Sequence, residues 1–418
     1  MEQIIQPSTL GLAKTFGFGD RLGMAGRGHL EALKGYSFKP ILAQQSIREL
    51  TRIGRTPDAV IDAARTAIIK ANYQGSWGAD ADHLKTPQDV AYTAAAGFTF
   101  FTIDPSEHVN NRSDTMEASE LEQEVEKQNN EGLYGGARVQ ELYLCKSFPV
   151  SNGRELQYDA ATLLRAAVKY GRAVAHCETM AKAIAKETSG RQSEIEISVD
   201  ETDQPTSPLE HLFFTLELKR RGVPFVSLAP RFIGDFEKGI DYKGDLAAFE
   251  TDLRKHFEIA QAFGPYKISI HSGSDKFSIY PVISRVCGDL LHVKTSGTSY
   301  LEALRTVCRT EPALFAEIAR YCLGRFEEDK MSYHISVTPG FVQGVRIRED
   351  ARTMEDLFLN DDQGRQILHV TFGSVLSKGT HTDGRSFRDA ILETLSREED
   401  LHTELLAKHL GKHLRLLS

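Results

Sequence analysis

Residues 194–231 read EIEISVDETDQPTSPLEHLFFTLELKRRGVPFVSLAPR and contain one complete unit of the fold. A short β-rich run, Glu194–Asp200, ends in the polar cluster SVDETDQPTSP. A helical segment, Glu210–Arg221, follows and stops at Gly222, a glycine where the periodic pattern ends. The next β-rich run, Phe225–Arg231, again closes on charge, at APRFIGD. Strand, crossover helix and second strand in this spacing make the βαβ unit of a parallel sheet.

The unit recurs on both sides. Further strand-like runs are Thr15–Asp20, Pro40–Gln45, Gly75–Asp80, Phe98–Asp104, Lys267–His271 and Leu290–Lys294. Helical periodicity fills the gaps, as in Asp58–Asn72, where Val60, Ile61, Ala64, Ile68 and Ala71 fall at three- and four-residue steps. Eight such alternations predict an α/β fold, a TIM-like (β/α)8 barrel. A doubly wound open sheet would carry a glycine-rich phosphate turn after its first strand, and none follows here.

Two regions break the repeat. Residues 105–193 form a long insertion after the fourth strand, with an acid- and amide-rich helix at Ser113–Gln128, a hinge or turn at Gly132–Gly136 and a long helix at Asp159–Glu187. An insertion at that end of a barrel strand is placed to act as a lid. From about Phe326 the pattern changes again, with strand-like runs Ser332–Val337 and Ile367–Val370 and a helical tail whose His402, His409 and His413 read as a solvated face. The organisation expected is a barrel domain over residues 1–325 and an α/β extension, 326–418, packed on it.

Composition narrows the function. The 418 residues are 41% hydrophobic and 26% charged, an ordinary globular balance. With 50 basic against 58 acidic side chains the net charge is −8, and no basic block stands out, which argues against nucleic acid or an anionic membrane as partner. Any bound anion must be held by a few local Arg or Lys side chains. The densest apolar stretch, Tyr92–Ile103, is interrupted by Thr93, Thr99 and Thr102, so no bilayer span is expected. The opening MEQIIQPSTL has neither the basic nor the apolar region of a secretory signal. Five cysteines without a CxxC pair suit a reducing compartment, and a cytoplasmic protein is expected.

In a barrel the strand C-terminal ends converge on one site, and here nearly every strand closes on charge or amide. The clusters are GFGDR, AQQS with Gln45, GADADH with Asp80, Asp82 and His83, and IDPSEH with Asp104. They continue with Asp200 and Glu201, Arg231 and Asp235, SIHSGSDKF with His271, Asp275 and Lys276, and HVKTSGTSY with His292 and Lys294. Polar groups closing buried strands cost free energy unless paired or used, so their recurrence points to a ligand site.

Imidazoles and carboxylates on separate rigid strands suit a divalent metal ion of the Zn, Mn, Co or Ni type better than Ca or Mg. The ligands expected are His83, His271 and His292, with Glu201 as carboxylate ligand or acid/base and His334 and His369 in reserve. His292, two residues before its strand end, reads equally as a satisfied core histidine. Asp80 and Asp82 share one face of an extended segment, and His83 joins them only if the chain turns after Asp82. One of these aspartates could instead cap the following helix. Asp82 is the expected general base. Gln45, Arg231, Asp275, Lys276 and Lys294 are the expected substrate contacts, the cations gripping a carboxylate, with Arg231 as a bidentate fork. The alternative is an ion-pair network with Asp200, Asp235 and Asp275.

The strings GFGDRLG, AQQSIREL, GADADH, FTIDPSEH, SVDETDQPTSP, RFIGDFEKGIDYKGDLAAFE, YKISIHSGSDKFS, HVKTSGTSYLEA, SYHIS and ILHVTFGSVL run in order from about residue 15 to 378. Together they resemble the tagaturonate epimerase family. The resemblance implies a metal-dependent epimerase with a barrel fold, acting on tagaturonate and fructuronate or, in related members, on tagatose and fructose. It also implies more sequence ahead of GFGDRLG than this chain carries. Such sugars differ at the carbinol carbon β to the ketone, whose hydrogen is not acidified. Retro-aldol cleavage and re-closure is the accessible route, with Asp82 as base, Glu201 as acid and a closing lid over the aldehyde fragment. Two other readings stay open: a class II-type aldolase that releases its fragments, and a non-catalytic sugar-binding barrel. The partner expected is a small sugar or sugar acid, and a homo-oligomer is left open.

Overall fold

The computed structural model describes residues 5–418, so Met1–Ile4 of the opening decapeptide lie outside the described residues. Among the described residues ten strands form, β1 (Thr15–Phe18), β2 (Lys39–Ser46), β3 (Gly78–Leu84), β4 (Phe100–Ile103), β5 (Phe148–Pro149), β6 (Glu155–Leu156), β7 (Glu194–Ser198), β8 (Ser227–Ala229), β9 (Lys267–Ile270) and β10 (Leu291–Thr295). Eight of them close a barrel in the order β1-β2-β3-β4-β7-β8-β9-β10, with β10 pairing back to β1 and every pair parallel. Helices surround it, so the fold is the expected TIM-like (β/α)8 barrel. Each β-rich run in the sequence contains or overlaps its strand. The largest shift is at β3, which starts at Gly78 rather than Gly75 and continues past Asp80 to Leu84.

Local signals set the helix ends. Pro208–Arg220 starts on a reciprocal Ser207–Glu210 capping box with proline at its first position. Pro57–Ala71 starts on Thr56 and ends with Asn72 in the left-handed conformation. Within 105–193, the long helix Ala160–Glu187 packs between Pro87–Ala96 and Pro208–Arg220. It is the barrel's own crossover from β4 to β7, and the helix Ala118–Asn130 and the antiparallel β5–β6 pair are additions outside it.

The C-terminal region differs from expectation. Ile367–Val370 belongs to a helix, Asp362–Val370, started by Asp361, whose carboxylate accepts from the N–H groups of Gln363 and Gly364. Ser332–Val337 forms no strand. A four- to six-residue apolar run does not distinguish strand from buried helix, and here the cap decides. A second apolar core joins helices Thr298–Thr310 and Pro312–Asp329 to the helices of the extension through Leu304, Phe315, Phe358, Leu368 and Ile391.

The tail histidines are not a solvated face. The last helix, Glu399–Leu417, packs on Gly26–Leu33 and Thr298–Thr310, with His402 and His413 buried beside Leu406, Leu410 and Leu414. His409 bonds the Asp275 carboxylate and lies 3.4 Å from Glu302, while Arg365 grips the other Asp275 oxygen at 2.8 Å. His413 accepts from the Asp275 N–H and donates to the His409 carbonyl, so both its nitrogens are in use.

Burial opposes the His409 cation, but Asp275 and Glu302 outweigh it and raise the imidazole above its ordinary range, against the nearby Arg365. A raised folded-state value means that the stabilisation is complete below the ordinary histidine range and fades as pH rises through the raised value. His409→Ala is expected to lower unfolding free energy by about 2–3 kcal/mol at pH 6. Chemical denaturation should show the gap to the parent closing as pH is raised through and above neutral.

Candidate active site

The barrel interior is polar in layers. The deepest holds His292, Lys267 and Thr15, with His292 Nδ1 2.8 Å from the Thr15 hydroxyl and Lys267 Nζ 3.2 Å from the same oxygen. His292 Nε2 has no hydrogen-bond partner among the described residues, and burial pushes its imidazole down to about 3. The histidine lies a layer below the site and does not join the other imidazoles there.

Above it lies the Lys294 ammonium, 2.7 Å from Asp80, 2.7 Å from Asp82 and 2.8 Å from Glu196. Thr102 donates to Asp80 and Ser227 to Glu196, completing the layer. Burial works against every charge here. It wins at Asp80, whose carboxyl is pushed up to about 7. At Asp82 and Glu196 it is outweighed by Lys294 and by histidines, and both carboxyls are held below the ordinary range. Burial would also neutralise Lys294, but the three carboxylates keep its ammonium charged well above the usual range.

At the mouth, Asp82, His83 and His271 each offer a ligand atom, all within 4.8 Å of one another. His83 gets there by a local distortion. It adopts φ +54°, and the pairing of β3 with β4 shifts register between Ala81 and Leu84. A left-handed residue at a bulge brings His83 to the face of its neighbour Asp82, from which strict alternation would separate it. Neither Asp80 nor Asp82 caps the next helix, which is started by Thr86 and Asp89.

Both imidazoles have carboxylates behind them. His83 Nδ1 is 3.2 Å from Asp104, which leaves Nε2 towards Asp82 at 3.9 Å. His271 stands just past β9, with Nε2 2.7 Å from Glu196 and Nδ1 3.3 Å from Asp200. Burial would lower both rings. The acids around them win, raising His83 to about 10 and His271 to about 9. Two imidazoles and a carboxylate, each imidazole oriented by a further carboxylate, match the donor set of a divalent transition-metal ion with its outer support.

A cavity of about 590 Å3 opens beside His271, lined also by Asp200, Glu201, Arg48, Arg231, Lys238, Ser272, Tyr333 and His334. Glu201 is half exposed and pairs with Arg48 at 3.1 Å. Arg231 donates to the Thr202 carbonyl and makes no ion pair with Asp200, Asp235 or Asp275. None of the lining residues comes from 105–193, whereas Met331, Tyr333 and His334 of the C-terminal region line it too.

The remaining expected contacts lie elsewhere. Lys276 is buried with its ammonium on the carbonyls of Glu237, Ile240 and Ser274, and Asp275 is held by Arg365 and His409. Gln45 donates to Glu49, which in turn binds Arg21. His369 is buried beside Arg21, while exposed His334 is 3.6 Å from Asp235 at the rim. Glu196, Lys238 and Arg48 were not anticipated. Glu196 was legible as an acid two residues from Ser198 on the same strand face, although it sits mid-strand rather than at an end.

Over residues 1–417 the chain matches the family model described as tagaturonate epimerase, UxaE. The tagaturonate/fructuronate epimerase of Thermotoga maritima is 46% identical over 415 residues, covering 99% of this chain and 82% of the relative. The native crystal structure of the fructuronate–tagaturonate epimerase UxaE from Cohnella laeviribosi superposes with TM-score 0.91 at 40% identity, covering 99% of this chain and 83% of that one. The same enzyme with one glycerol bound gives the same TM-score, 0.91. A parallel barrel with a charged mouth and these relatives define an isomerase acting on carbohydrates, an epimerase. The chain belongs to the tagaturonate epimerase family.

Lys294→Met would leave Asp80, Asp82 and Glu196 buried together without their shared cation. The substitution is expected to cost about 3–5 kcal/mol of stability at pH 7, read from the chemical unfolding midpoint. A midpoint equal to the parent's would show that the ammonium is not what holds the layer.

Proposed function

We propose that this barrel interconverts tagaturonate and fructuronate by inverting the hydroxyl carbon β to the ketone, and that it does so with a divalent ion held by Asp82, His83 and His271. Its family and the names of its relatives support the substrate pair. The observation that carries the metal reading is the set of three ligand atoms within 4.8 Å, with Asp104 and Glu196 behind the two histidines. Zn, Mn, Co or Ni fits this donor set.

The roles shift from the sequence expectation. Asp82 is on Lys294 and beside both imidazoles, which depress its affinity for a proton, so it is a better ion ligand than a base. Glu201 lines the cavity in contact with solvent and takes the acid/base role. It removes the proton of the β-hydroxyl as the bond between the α and β carbons breaks. The bonding pair stays with the ketone half as an enediolate, and the other half becomes an aldehyde. The aldehyde turns, the carbon–carbon bond re-forms on its opposite face, and the new alkoxide recovers the proton from Glu201. Atoms and electrons balance, with no net redox change. A divalent ion at the trio supplies Lewis-acid stabilisation for the negative charge that develops on the ketone oxygen. Arg231 orients the anionic end of the substrate, and Tyr333 and His334 at the rim limit escape of the fragment.

Metal-stripped protein reloaded with Zn, Mn, Co or Ni is expected to interconvert the two sugar acids and to lose activity on chelation. His83→Ala and His271→Ala should lose bound metal by elemental analysis. Glu201→Gln should keep the metal while kcat falls about 10²–10⁴-fold. Substrate deuterated at the epimerised carbon should retain its label, and loss of that label to water would replace cleavage by deprotonation. Release of free fragments would instead make the protein an aldolase.

A further inference from the structure

Most cations near the cavity have their charge answered. Arg48 pairs with Glu201, Lys294 with three carboxylates, and Lys243 with Glu237. Lys238 is different. Its ammonium has a single neutral partner, the hydroxyl of Ser272, and among the described residues no carboxylate lies within ion-pair distance of it. The guanidinium of Arg231, on the same loop after β8, donates to the Thr202 carbonyl and, among the described residues, has no carboxylate within ion-pair distance. Two cations without acids line a cavity whose acidic walls are Asp200, Glu201, Asp203 and Asp235, and where Arg48 is already paired with Glu201. An anionic sugar would be repelled by those walls unless these two receive it.

The chain holds Lys238 in place. Buried Lys276 donates to the carbonyls of Glu237 at 2.8 Å and Ile240 at 2.5 Å, and Arg365 donates to that of Gly239 at 2.7 Å. Carbonyls on both sides of Lys238 are thus fixed by buried cations, so its stem leaves a rigid backbone. The partner Ser272 directly follows His271 and carries φ +53°, a strained left-handed geometry of the kind that persists where surroundings over-determine it. Lys238 therefore lies next to the imidazole end of the cavity, with its charge unspent.

We propose that Lys238, together with Arg231, receives the carboxylate of the sugar acid and sets the preference for a ketohexuronate over the neutral ketohexose. The inference rests on the epimerase reading above and deepens it. Lys276 acts through Lys238 as a positioning residue, and its ammonium never meets substrate.

The experiment compares the parent, Lys238→Met and Lys238→Arg on tagaturonate and on tagatose, each measured both as substrate and as competitive inhibitor. Removing a charged hydrogen-bond donor should lower the tagaturonate-to-tagatose ratio of kcat/KM, or of inhibition constants, about 10- to 100-fold. The change should fall mainly in KM, and Lys238→Arg should restore most of the ratio. Bound metal and unfolding midpoint, measured alongside, report whether Lys238→Met keeps its fold. An equal loss on both sugars, or an unchanged ratio, would overturn the inference while leaving the epimerase reading intact. A parent inert towards both sugars in every metal would overturn the epimerase reading and this inference with it.

Discussion

The Lys294 ammonium, buried among Asp80, Asp82 and Glu196, is the constraint on which the rest of the molecule turns. Three carboxylates in a barrel interior cannot all remain ionised without a cation among them, because burial penalises each one. The Lys294 charge lets two of them do outward-facing work. Asp82 turns its oxygen to the imidazoles at the mouth, and Glu196 fixes the ring of His271. Asp80 takes the cost, with its carboxyl pushed up to about 7. The layer is therefore both the plug of the barrel and the floor of the site.

That double use explains which parts of the molecule could be read from sequence. Strand and helix alternation is a local pattern, and it yields the barrel because a parallel sheet needs a crossover helix at each step. The strand-end rule singled out Asp82, His83, His271, Glu201 and Arg231, each within three residues of a strand terminus, and the structure places them in the trio at the mouth or on the cavity wall. It failed where polarity serves support. Asp275 and Lys276 lie five and six residues past the end of β9, in the same polar cluster as His271, yet they tie loops and helices together. A sequence shows that a charge is near a strand end but not whether a carbonyl or another helix has already claimed it.

The reverse failure occurs at Lys238. It lies in a 16-residue loop, 230–245, far from any strand end, and nothing in its immediate neighbours marks it. What isolates it is that no carboxylate among the described residues comes within ion-pair distance, a property of packing. The tail helix poses a similar problem. Histidines at 402, 409 and 413 share a face with Leu406, Leu410 and Leu414, and a stripe of that kind suits water or an interior equally well. The partners Asp275 and Glu302, more than a hundred residues away, decide the matter.

The two buried supports converge on one consequence. Arg365 of the C-terminal region binds both the Asp275 carboxylate and the Gly239 carbonyl, and Asp275 in turn receives His409 of the last helix. Lys276, the next residue after Asp275, holds the same β8 loop from the other side. The C-terminal helices thus reach the cavity wall through a continuous set of charged contacts, although they contribute few side chains to the cavity itself. Arg365 is the member of that set that fixes the Gly239 carbonyl, next to Lys238 in the loop that also carries Arg231. Binding of an anion by two long, flexible side chains depends on such anchoring, because ordering them at the moment of binding costs about 0.5–1.5 kcal/mol for each. If Lys238 and Arg231 receive the carboxylate as proposed, the extension bears on substrate choice through the stiffness of that loop.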